Sequence, residues 1–161
     1  MNSILRKLIL GMGFAVLAVS ISFVSAQSSN PLMGTWKLNV EKSKFSPGPA
    51  PKSQTVKMEP AGEGVKFTSS GINADGSPSA VEYTANYDGK DVPIKGSPAA
   101  DSVSLKKINA LTTERTDKKG GKVVQTVRRE NAKDGKSFTG TVKGTNAKGE
   151  PVNNVMLYEK Q

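Results

Sequence analysis

Four side chains have the chemistry to line a binding site: Tyr83, Arg115, Arg128 and Tyr158. Each joins a hydrogen-bonding head to an apolar or stackable body, which suits orienting a mostly apolar molecule. The chain has no Cys and no His. The usual general base, thiol nucleophile and zinc ligands are therefore missing. Its acidic residues fall mostly in turns or at outward strand positions, and no close carboxylate pair stands out for glycosidase-type work. Gly120-Gly121 reads as a hairpin turn rather than a phosphate loop, because no helix follows it. The expected site thus has no catalytic residue, no metal and no cofactor, and the chain is not expected to be an enzyme.

The elements that must position those four residues are strands. Gly34–Val40 alternates, with Trp36, Leu38 and Val40 on one face and Lys37 and Asn39 on the other. A period of two marks a half-buried strand. Further strands are expected over Ser53–Glu59, Val65–Gly71, Ser79–Asp88, Ser102–Ile108, Ala110–Thr116, Lys122–Glu130, Ser137–Gly144 and Pro151–Glu159, with a short piece over Asp91–Lys95 interrupted by Pro93. Gly, Asn, Asp and Pro punctuate them, and Asp88-Gly89 and Asp134-Gly135 are hairpin signals because Gly tolerates positive φ. Pro47, Pro49 and Pro51 make Ser46–Pro51 an extended loop. A very short helical turn fits Glu41–Lys44. No segment has a sustained helical period. The fold class is therefore all-β, an antiparallel up-and-down barrel of eight to ten strands. Lys, Glu, Asn and Thr on the outward face argue against a barrel in a membrane, which needs an apolar belt.

Met1–Ala26 reads as a secretory signal peptide: Arg6 and Lys7, an apolar run from Leu8 to about Phe23, then Val24-Ser25-Ala26 as a small-x-small cleavage pattern. Residues 27–161 would then form one domain, exported to the periplasm or beyond, with no stable membrane span after cleavage. Gln27–Met33 reads as a polar tail. Without Cys, a domain in an oxidising compartment must hold by packing and ladder hydrogen bonds alone. The net charge of +9 comes from dispersed lysines that keep an outer face soluble. It has no basic stripe interleaved with aromatics, which argues against nucleic acid.

Three blocks carry a family resemblance. Gly34-Thr35-Trp36-Lys37-Leu38 resembles the first-strand motif of the calycin superfamily, the lipocalins and fatty-acid-binding proteins. Lys119-Gly120-Gly121-Lys122-Val123-Val124-Gln125 resembles a late hairpin of the fatty-acid-binding branch, and Tyr158-Glu159-Lys160 its closing strand. Phe45-Ser46-Pro47-Gly48-Pro49 is similar to small exported bacterial lipocalin-like proteins. The chain departs from the fatty-acid-binding branch in two places. A Pro-rich loop stands where that branch has a helix-turn-helix lid, and Met156-Leu157-Tyr158 lacks the arginine of its Arg-x-Tyr carboxylate pair. The resemblance implies a lipocalin-like barrel with Trp36 sealing one end under a late-strand basic residue, either Arg128 or Arg129. It also implies a small hydrophobic ligand in the interior. A filled, dry core is the alternative for the interior. For the molecule, the alternative is an envelope interaction protein that binds a protein or glycan through its outer face or loops.

Overall fold

The computed structural model describes residues 30–161, so the expected leader lies outside the described residues. The alternation of apolar and polar side chains builds ten strands. They are β1 (Gly34–Lys44), β2 (Ser53–Ala61), β3 (Gly64–Ile72), β4 (Pro78–Ala85), β5 (Val92–Pro93), β6 (Ser102–Lys107), β7 (Thr112–Lys119), β8 (Lys122–Asn131), β9 (Ser137–Thr145) and β10 (Pro151–Lys160). All pairings are antiparallel, in the order β4-β3-β2-β1-β10-β9-β8-β7-β6-β5. Sequential strands are neighbours except β4 and β5, which stand at the two ends of the order, and β1 meets β10 to join the two halves. This is the expected up-and-down barrel.

Closure falls between β4 and the end of β5, where the contact is thin. Glu82 N–H donates to Lys95 O at 3.1 Å and Lys95 N–H to Glu82 O at 2.9 Å. Pro93 has no N–H and keeps β5 short. Gly96 follows at φ 76° with its Cα against the Ala80 carbonyl, so any side chain there would collide with the opposing backbone. A glycine is what lets the chain approach β4.

The expected helical turn at Glu41–Lys44 is instead a bulge in β1. The register against β10 jumps between Asn39, opposite Leu157, and Lys44, opposite Val155. Side chains take over the backbone bonds that the ladder loses there. Asn39 Oδ1 accepts from Lys42 N–H at 3.0 Å, and Ser43 Oγ accepts from Leu157 N–H at 2.9 Å. Bulges of this kind bend a strand, and this one turns the chain into the Pro-rich loop.

The segment before β1 is also more than a polar tail. Leu32 is fully buried. Its N–H donates to Asn30 Oδ1 at 3.0 Å, and Asn131 Nδ2 donates to Pro31 O at 2.7 Å. A turn thereby folds against the end of β8.

Trp36 is 0% exposed. Its ring meets Phe138 edge-on, with centroids 5.1 Å apart at 75°, and Phe138 stacks on Tyr158 at 4.5 Å. Three aromatics from β1, β9 and β10 thus fill the end of the barrel where β1 begins. Trp36→Ala is expected to lower stability by about 3–5 kcal/mol, the range for large aromatic truncations in cores, read by urea unfolding. A variant as stable as the parent would show that the tryptophan does not close the barrel.

Candidate functional site

Above that aromatic floor the barrel encloses a cavity of about 160 Å³. Inward positions two apart on successive strands line it: Val56 and Met58 on β2, Val65 and Phe67 on β3, Arg115 and Thr113 on β7, Val127 and Arg129 on β8. Gly140 on β9 keeps part of the space open. A Cβ there would lie 3.8 Å from Met156 Cε and 3.9 Å from Phe138 Cε2, in ordinary contact. The volume matches an apolar cavity that holds one benzene, roughly 150 Å³. It lies below the roughly 300–1,000 Å³ of pockets for drug-sized ligands.

Arg115, Tyr158 and Arg129 are among the polar groups that line this space. Arg115 forms a bidentate pair with Asp117, Nε to Oδ1 at 2.7 Å and Nη2 to Oδ2 at 2.8 Å. The two side chains are 20% and 5% exposed. The guanidinium also lies over the stacked Phe67 and Tyr83 rings, at 5.7 and 5.6 Å from their centroids. Burial works against its charge, but Tyr83 and Asp117 outweigh that and hold Arg115 above its ordinary value. Burial raises the hydroxyl of Tyr83 above the usual tyrosine range.

Tyr158 donates its hydroxyl to Gln54 Oε1, and Gln54 Nε2 donates to Ser69 Oγ at 2.9 Å. Burial raises Tyr158 as well, so it remains a neutral donor.

Arg129 is the third group, and it has no carboxylate partner. Its guanidinium carbon lies 5.1 Å from the centroid of Trp36 and 4.2 Å from that of Phe138. Nη1 meets the Met58 thioether. Nε and Nη2 are buried with no hydrogen-bond partner among the described residues, as is Trp36 Nε1. Burial pulls the Arg129 pKa down to about 10, although Tyr87 and Tyr83 act in the opposite direction. The sign is informative. The unfolded chain holds this proton more tightly than the folded one, so a charged Arg129 costs stability at neutral pH, and that cost fades only as pH rises past about 10.

The structure therefore brings Tyr83, Arg115 and Tyr158 together around one cavity and leaves Arg128 out. Arg128 points outward, 46% exposed, and pairs with Glu130 at 3.2 Å. The physical reason is strand phase. Val127 and Arg129 share the inward face of β8, so Arg128 must face solvent. That same phase resolves which arginine covers Trp36: it is Arg129. The phase was hard to read because Val123 and Val124 are both apolar. A register shift between Asp117 and Lys118, which face Gln125 and Val123, absorbs the extra residue. Asp117 and Gln54 also escaped the sequence reading, whereas Met58 lies inward on β2 as its alternation with Val56 implies. Val127 followed two residues later by a basic side chain was the available signal for Arg129.

No protein-family model matches the chain and no curated protein matches it. Among solved structures it is similar to the crystal structure of zebrafish ileal bile acid-binding protein complexed with cholic acid. The identity is 10% and the TM-score 0.47, covering 81% of this chain and 99% of that one.

Asp117→Ala would strand the Arg115 charge inside the barrel. A loss of about 3 kcal/mol is expected, the low end for a buried pair because Arg115 keeps some solvent. Glu130→Ala breaks only the exposed pair and should cost less than about 1 kcal/mol. Chemical denaturation of the two variants side by side checks this ordering.

Proposed function

We propose that this chain is an exported, non-catalytic binding protein whose interior holds a small, largely apolar molecule bearing an anionic group, with the anion on Arg129. The observation that carries this reading is the guanidinium itself. Arg129 is 6% exposed, lines the cavity and leaves Nε and Nη2 unpaired. Burying an unpaired ion costs several kcal/mol, and cation–π contacts return only about 1–2 kcal/mol. An anion delivered to Nε and Nη2 would offset the remainder through charge-assisted hydrogen bonds. The other lining guanidinium, Arg115, is already neutralised by Asp117. The apolar walls then take the body of the ligand, and the cavity of about 160 Å³ limits that body to roughly one ring. The leader-like Met1–Ala26 supports export.

Benzoate and benzyl alcohol, which share a shape and differ in charge, separate the anion from the apolar body. In calorimetric titrations the purified protein should bind benzoate about tenfold or more tightly than the alcohol, since hydrogen bonds to charged groups are worth about 1.5–3 kcal/mol. Arg129→Met should abolish that preference while leaving the fold intact or more stable, because an apolar side chain replaces a buried unpaired charge. The benzoate affinity of the parent should also fall as the pH passes about 10, where Arg129 loses its proton. Equal affinity for the two probes, or benzoate binding unchanged by Arg129→Met, would refute the anion site.

A further inference from the structure

A second chamber of about 480 Å³ lies at the opposite end of the barrel from Trp36, and Gln54 and Met156 line both it and the interior cavity. One wall is the loop between β1 and β2, with Phe45, Pro47, Pro49 and Pro51; the facing wall is the β3–β4 turn, with Asn73 and Asp75. The loop is tied down at both ends. Ser46 N–H donates to Asn154 Oδ1 at 2.8 Å, Asn153 N–H donates to Ser46 O at 2.7 Å, and Lys52 N–H donates to Ile72 O at 2.9 Å. Its prolines carry no N–H, so they present apolar rings to the chamber without leaving a backbone donor unpaired. The facing turn is polar and internally braced: Asp75 Oδ1 accepts from Ser77 N–H at 2.9 Å.

The partition between the two spaces consists of side chains. Gln54 reaches across to Tyr158 and Ser69, and the Met156 sulfur lies 3.7 Å from the Tyr158 hydroxyl. Methionine is unbranched and adapts its rotamers readily, and a glutamine amide can exchange its partners for those of a ligand. Rotating these two side chains would change no strand pairing.

We propose that the interior cavity and the mouth chamber are two halves of one binding channel, with Gln54 and Met156 as its septum. The channel takes an elongated molecule that is anionic at its inner end, apolar in its middle and uncharged but hydrogen-bonding at its outer end. This rests on the anion site at Arg129 and extends it. The middle of the ligand crosses the septum, lies along Phe45 and the proline rings, and its outer end meets Asn73 and the free amide nitrogen of Asn154. The inner cavity alone selects for charge; the septum and the chamber select for length.

The test compares benzoate with benzoates that carry a para alkyl chain ended by a primary amide. Affinity for the parent protein should rise with chain length by about fourfold per methylene until the chain spans the chamber. Phe45→Ala should remove most of that gain and leave benzoate affinity unchanged, since Phe45 lines the mouth and not the interior. Should Phe45→Ala unfold the protein, intermolecular NOEs in the parent serve instead, and the alkyl protons should contact both the Met156 methyl and the Phe45 ring. Benzoate binding with no gain from the chain, or NOEs confined to the outer surface, would overturn the channel and leave the anion site standing. No binding of either probe would overturn both.

Discussion

A guanidinium packed against two aromatic rings, with no carboxylate beside it among the described residues, is the interaction around which this barrel is arranged. Arg129 from β8 packs against Trp36 from β1 and Phe138 from β9. Those two strands are joined only through β10, whose Tyr158 stacks on Phe138. The closed end of the barrel therefore works as one unit, and the price of its central charge is left partly unbalanced. Arg115 is the contrast within the same cavity. It has the same side-chain chemistry and comparable aromatic neighbours, but Asp117 sits two residues along the strand and satisfies it. One arginine is a structural ion pair; the other has no ionic partner among the described residues.

The rest of the fold sets how the interior around Arg129 could be reached. A barrel without disulfides holds its shape through ladder hydrogen bonds, which link every neighbouring pair of strands and thin out most at one seam. Between β4 and β5 the closure has two backbone bonds, at Glu82 and Lys95, reinforced by an exposed ion pair at 3.4 Å. Such a thin contact is the low-stability part of the structure in the sense that local opening needs few bonds broken. The mouth under the Pro-rich loop differs in kind. Its loop wall is anchored at both ends, and it shares the lining residues Gln54 and Met156 with the interior. Entry through the mouth would leave every strand paired, whereas entry through the seam would not.

Much of this architecture was legible in the sequence. Alternation located every strand, because a side chain that must face either a single core or water leaves a period-two trace in Gly34–Val40 as clearly as in Ser137–Gly144. What escaped were places where side chains substitute for backbone regularity. Glu41–Lys44 looked helical because Asn39 and Ser43 bond locally across three and four residues, yet those bonds stabilise a bulge within a strand. Leu32 looked like part of a tail because its burial depends on Asn131, about a hundred residues away. The site was half legible. Tyr83, Arg115 and Tyr158 lie at inward positions, but the Val123–Val124 doublet hid the phase of β8, and with it the exchange of Arg128 for Arg129. A charged residue is placed in solvent by default, so the one buried without a partner is the hardest to foresee. The size of the cavity depends on Gly140 and the aromatic stack together, which no local pattern encodes.

The most direct measurement is the NMR signal of the Arg129 Nε–Hε group during titration with benzoate. If the interior accepts an anion at this guanidinium, that resonance should shift downfield and exchange more slowly with water at saturation, while the signal of Arg115, already held by Asp117, stays in place. An Arg129 signal that does not move while benzoate perturbs only exposed groups such as Arg128 would contradict the account.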